Sequence, residues 1–178
     1  MSEQMGDSAD VIRLCDAWQA RLDARIRALL AEHAALRALC DRLEAIADGL
    51  PGLPLLEERH AVAEQLTALL LGHQRCESEL LDNLLPSDEG SAMRRVLIER
   101  IRSQHVEDMV HAQDLGAALV DGRSEAQALG YMLRCFFDGC RRALAFEELA
   151  ILKLARQRLS PVTRELLVAS LGARRQPG

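Results

Sequence analysis

The sequence predicts an all-α protein, an up-and-down four-helix bundle with a short extra helix at its C-terminal end. Three observations carry that expectation. Of the 178 residues, 49% are apolar but only 3% aromatic, and the prominence of Leu, Ala, Arg and Glu favours helix over sheet. Breaks rich in Pro and Gly cut the chain into four long segments and one short one. Within each long segment apolar residues recur at alternating steps of three and four, as in helices that turn one face to a shared core.

The elements follow in order. The first helix is expected over about 10–48, ended by Gly49-Leu50-Pro51-Gly52-Leu53-Pro54, because proline lacks an amide donor and glycine favours a turn. The second runs over about 55–85 to Pro86-Ser87-Asp88-Glu89-Gly90, and the third over about 91–120 to Asp121-Gly122-Arg123. Ser124 with Gln127 three residues on has the form of a capping box, which opens the fourth helix over 124–159. Ser160 before Pro161 starts a short fifth helix near 161–173, with proline at the first helical position. The whole chain, 1–178, is expected to be one domain, its bundle core at about 10–160.

Charge and composition exclude several function classes. A formal charge of -5 and a pI of about 5.6 give nucleic-acid binding no electrostatic footing. The opening MSEQMGDSAD is polar and acidic, without the basic-then-apolar layout of a signal peptide. No apolar run approaches the roughly 20 residues of a membrane span. Five cysteines, an odd number without scaffold spacing, fit free thiols in a reducing compartment. A cytoplasmic protein is the expectation.

The seams themselves hold the candidate chemistry. The first reads Leu22, Ile26, Leu29, His33, Leu36, Cys40, Leu43, and the second Val62, Leu66, Leu69, His73, Cys76, Leu80. The third reads Ile98, Ile101, His105, Asp108 or Met109, Ala112, Leu115; the fourth reads Leu129, Leu133, Phe136, Cys140, Ala143, Glu147, Ala150, Leu154. Three of the five histidines thus face inward. Glu77, four residues after His73, shares its helix face.

Heights can be compared if neighbouring helices are antiparallel. His33 and His73 lie about 16 and 17 residues from the first break, each roughly 25 Å at 1.5 Å per residue. His73 and His105 lie about 12 and 13 residues from the second break, and His105 and Ala143 about 15 and 16 from the third. His33, His73 and His105 should therefore share one layer, with Glu77 and Glu147 about a turn away. Such a layer can hold a metal, since imidazole and carboxylate suit iron, manganese or zinc. A single seam histidine can equally be a core residue bonded to a carbonyl. Burying five ionisable groups without a counter-charge, however, would cost several kcal/mol each.

Around these residues the chain resembles the hemerythrin-like, or HHE cation-binding, domain family. The resemblance lies in LLAEHAALRALCDRLEAIADG around His33, HQRCESELLDNLLP around His73, RIRSQHVEDMVHAQDL around His105 and RRALAFEELAILKLARQRLS on the fourth helix. It covers roughly 10–175 and is similar to the bacterial branch in which the domain is the whole chain. The family pattern is a histidine on the first helix, HxxxE on the second, a histidine on the third and HxxxE on the fourth. The resemblance implies metal ligands His33, His73, Glu77, His105 and Glu147. It implies a non-haem iron centre, di-iron or reduced to a single ion, with zinc or manganese as other occupants. The implied role is binding or sensing of oxygen, peroxide, nitric oxide or iron, with a small diatomic or peroxide ligand and no implied turnover. The alternative is a metal-free bundle acting as a structural or protein-interaction module.

The chain departs from the family pattern at several positions. Ala143 stands where the fourth-helix histidine should be, four residues before Glu147, and offers no ligand. Leu81 and Asp82 replace the phenylalanine and proline usual after the second motif, and Lys153 replaces a proline common on the fourth helix. Cys140, Cys76 or Asp108 could compensate as donors; equally, the cysteines can be small buried hydrophobes and Asp108 a hydrogen-bond partner. Cys40 is too far from His33 to ligate, and Cys15 and Cys135 show nothing specific. His60 and His111 fall off their seams and are expected at the surface. Arg141 and Arg142 are expected in surface charge pairs, and Leu166, Leu167 and Leu171 are expected to cap one bundle end.

Overall fold

The computed structural model describes residues 3–84, 92–155 and 158–172. It is a bundle of α1 (Glu3–Gly49), α2 (Leu56–Leu84), α3 (Ala92–Asp121) and α4 (Ala126–Leu154), with the short α5 (Pro161–Gly172) beyond. Each long helix packs on two neighbours, so that α1–α2–α3–α4–α1 closes a ring, and α5 rests on α1 and α4. No described helix is long and apolar enough to cross a membrane.

The seams become the core as their periodicity requires. Ile26, Leu29, Leu43, Leu66, Leu80, Leu133 and their neighbours lose essentially all solvent contact. Burial of each such side chain stabilises the fold by roughly 1.5–3 kcal/mol before chain entropy is counted. The apolar core is not continuous, however. A larger cluster fills the end bounded by the α1–α2 and α3–α4 turns, from Leu36 and Leu39 through Leu66, Leu115 and Leu133 to Leu144. A smaller one, with Leu22, Ile26, Leu29, Leu80, Ile151, Leu159 and Leu167, fills the other end. Between them lies a layer of histidine and glutamate.

Helix ends depart from expectation in three places. α1 begins at Glu3, earlier than the expected residue 10. The capping box at Ser124 does not form: Glu125 is the N-cap of α4 and makes no side-chain cap hydrogen bond. The turn before it is set instead from α3. Gly122 takes a left-handed φ of 63°, and its amide bonds to Ala118 O at 3.1 Å, a closure that favours glycine. Arg59 of α2 donates to Leu119 O at 2.8 Å, so a cation caps the α3 carbonyls across the bundle. α4 also stops at Leu154, five residues short of the expected 159. By contrast Ser160 caps α5 as expected, accepting from the Thr163 amide at 3.2 Å with Pro161 at the first helical position. The expected break at Pro86–Gly90 lies outside the described residues.

Candidate metal centre

The structure brings all five sequence-predicted residues into one layer. His33 on α1 is flanked one turn each way by Leu29 and Leu36, both fully buried, which fixes the imidazole inward. His73 on α2 and His105 on α3 meet it in sequence, with ring centroids 5.0 Å apart for His33–His73 and 5.4 Å for His73–His105. Glu147 of α4 reaches between them. His33 Nε2 lies 3.3 Å and His73 Nε2 3.2 Å from the same Glu147 Oε2. On the far side His105 Nε2 lies 2.8 Å from Glu77 Oε2 and 3.7 Å from Glu147 Oε1. The layer thus has two foci, and Glu147 spans them with its two oxygens.

Donor atoms of His73, Glu77, His105 and Glu147 all lie within 4.8 Å of one another, close enough to share an ion, and these residues are buried or nearly so. His33 joins them through Glu147 Oε2. Close approach does not amount to mutual satisfaction. His33 Nε2, His105 Nε2, both Glu77 oxygens and Glu147 Oε2 are buried without a hydrogen-bond partner, since their contacts lack the required alignment. Such atoms normally find partners, and each buried orphan costs about 1–3 kcal/mol. A cation between them would satisfy the whole set, so the donor set fits a metal.

Without a metal the layer balances itself with protons. Burial works against a charge on His105, yet the Glu147 and Glu77 carboxylates beside it outweigh burial and raise its pKa to about 9. His33 is shifted upward in the same way, against burial, by Glu147 and Glu148. Burial would raise Glu147, but His105, His33 and His73 hold it well below the usual carboxylate range. His33 and His105 would have to shed protons to ligate, so metal uptake would be linked to proton release.

One further residue belongs to the site that the seam pattern did not single out. Glu148, fully buried, places Oε1 2.8 Å from His33 Nδ1. Arg37 Nη2 donates to that same oxygen at 2.5 Å and Ser170 Oγ of α5 at 2.9 Å. Burial opposes its charge, but His33 and Arg37 hold the Glu148 pKa below its ordinary value. An ionised carboxylate only accepts, so His33 carries a proton on Nδ1, which leaves Nε2, facing Glu147, as the nitrogen that would ligate a metal once its own proton is lost. The Glu147–Glu148 doublet was the only trace of this in the sequence, since adjacent helical residues point about 100° apart and one alone follows the seam.

Comparison with known proteins decides the family. The family model described as the hemerythrin HHE cation-binding domain matches residues 24–155, well over half of the chain, from within α1 to the end of α4. The chain belongs to the hemerythrin HHE family. Searches of curated proteins and of solved structures give no match.

On the fourth helix of this HHE domain, Ala143 brings no donor to the layer. It stands four residues before Glu147, as His73 stands four before Glu77. Where a ring would fill space, a cavity of about 420 Å³ opens between α3 and α4, reaching Ala143 and Glu147 past Phe136, Phe146 and Asp108. Among the described residues, the group of converging donors does not include Cys76, Cys140 or Asp108. Cys140 is buried and engages the Cys40 thiol, which with burial pushes the Cys140 pKa well up, so this thiol stays protonated. Asp108 accepts from Gln104 Nε2 at 2.8 Å, and burial raises its pKa.

The remaining expectations divide. His60 and His111 are exposed, although His111 lines the cavity mouth. Arg141 pairs with Asp41 and Glu44 of α1 at 2.6 Å each. Arg142 makes no such pair among the described residues and lines the cavity instead. Leu167 is fully buried in the smaller apolar cluster, whereas Leu166 is exposed, so one leucine of the three does most of the capping.

Proposed function

We propose that this HHE domain is a non-haem iron protein that binds or senses oxygen, peroxide, nitric oxide or iron itself. His33, His73 and Glu147 would hold one ion, and His105, Glu77 and Glu147 a second. The observation that carries this is the set of buried, partnerless donor atoms converging from four helices. Nitrogen and carboxylate donors suit iron, with manganese and zinc next. Bound iron would supply redox chemistry and open coordination positions for a small ligand.

The chain's own residues do the rest. Glu148 fixes the tautomer of His33, and Glu147 presents an oxygen to each focus. The two apolar clusters exclude water along the bundle axis, leaving the Ala143 cavity as the side entrance. The external ligand would then reach the ion on the His105 side. A metal-free interaction module is disfavoured by the same orphan atoms, since purely structural burial gains nothing from leaving five polar atoms unsatisfied.

The test is anaerobic loading with ferrous iron followed by exposure to oxygen or peroxide. Near-ultraviolet charge-transfer absorption that disappears with a strong chelator is the expected result. Protein that stays colourless and retains no iron after desalting would contradict the proposal. Colourless protein that retains zinc and loses thermal stability with chelator would replace iron with a structural metal.

A further inference from the structure

α5 follows the residues that match the family model, and it is nevertheless wired to the metal layer. Its first turn is tied to α1 by Thr163 Oγ1, which donates to Asp23 at 2.6 Å, and its middle by the fully buried Leu167. Its last turn carries Ser170, whose hydroxyl accepts from Arg37 Nη1 at 3.2 Å and donates to Glu148 Oε1 at 2.9 Å. That oxygen is the one facing His33 Nδ1. A chain of hydrogen bonds therefore leads from the partly exposed end of α5, through one buried carboxylate, to the back of a candidate ligand.

The direction of each bond matters. Glu148 Oε1 has three donors around it, on α1 and α5, and its own backbone on α4, so its position depends on all three helices at once. Moving that oxygen would free His33 to rotate or change tautomer, and Nε2 would leave the Glu147 focus. Partners of this kind behind a ligating histidine typically change metal affinity about 10- to 100-fold. A hydroxyl that holds such a partner acts one step further out.

We propose that α5 tunes the metal centre. Ser170, together with Arg37, clamps Glu148, and Glu148 is a positioning residue that fixes the tautomer and aim of His33. Coupling is reciprocal, so a metal held by His33 must in turn steady the last turn of α5. This rests on His33 being a ligand, as proposed above.

The experiment measures ferrous and cobaltous ion affinity by competition with a colorimetric chelator, on the full chain and three variants. Glu148→Gln is expected to weaken the tighter ion about 10- to 100-fold. Ser170→Ala is expected to weaken it about threefold to tenfold, and Ser170→Thr, which keeps the hydroxyl, to stay near the parent. Amide exchange in 165–172 should slow when metal is added to the parent and much less in Ser170→Ala. A parent that binds no metal overturns the ligand assignment and this inference together. A parent that binds metal, with Ser170→Ala equal to it in affinity and in exchange, overturns the inference alone. Equal losses in Ser170→Ala and Ser170→Thr also contradict it, because packing rather than the hydroxyl would then be responsible.

Discussion

The two sides of the metal layer are built on opposite principles. On the α1 side His33 is fully buried, backed by Glu148, and enclosed by Arg37 and Ser170. On the α3 side His105 keeps some solvent exposure, and the space beside Glu147 and Ala143 is a cavity of about 420 Å³. The first side is closed, the second open to a cavity. Glu147 belongs to both, which makes it the residue through which either side feels the other.

Removing that shared carboxylate should have the largest effect. In metal-free Glu147→Ala, His33, His73 and His105 lose the counter-charge they have in common. Breaking a buried pair in this way costs about 3–5 kcal/mol. Chemical denaturation near pH 6 checks it, and a loss below about 1 kcal/mol would mean that the layer is not held by charge.

A pH series on metal-free protein sharpens the comparison next. His105 rises from 6.5 to about 9 on folding, so its stabilisation is complete below pH 6.5 and is lost as pH climbs through 9. Glu147 and Glu148 are depressed, so theirs is present above pH 4.5 and is lost as pH falls through their folded values. Stability of the metal-free chain should therefore peak between pH 4.5 and 6.5 and decline by on the order of 2 kcal/mol toward pH 9. Metal-loaded protein should not decline over that upper window, because the ion replaces the protons as counter-charge. Thermal denaturation across pH 5–9 separates the two forms.

Ala143→His attacks the difference between the sides directly. The cavity has room for an imidazole, and the ring would stand four residues before Glu147, as His73 stands before Glu77. Affinity for the ion on the His105 side should rise about tenfold, or 1.4 kcal/mol. Azide or nitric oxide should bind that ion more slowly, which stopped-flow absorption would show. The smallest effect belongs to the surface. Arg141→Ala removes two short ion pairs to Asp41 and Glu44, yet exposed pairs contribute about 0–1 kcal/mol, and metal content should be unchanged.

Most of the fold was legible because helical periodicity and antiparallel heights are both simple arithmetic. His33, His73 and His105 share a layer because loop-to-residue distances match along four helices, and no side-chain detail was needed to see it. What escaped depends on single atoms. Ser124 has the residues of a capping box, but the turn set by Gly122 and Arg59 is followed by an N-cap one residue later, at Glu125. Glu148 sits beside a seam residue rather than on the seam, and its role appears only when α5 delivers Ser170 to the same oxygen. That Ala143 carries no donor was visible in the sequence. That a cavity opens beside it was not, because it turns on which side chains lean into a few ångströms of space.

The central claim is that five side chains on four helices form one metal centre. Elemental analysis of protein purified without chelator from iron-supplemented cells, beside its His73→Ala variant, tests it most directly. The account predicts close to two irons per chain in the parent and one or none in the variant. Metal-free parent protein, or equal metal in both, would contradict it.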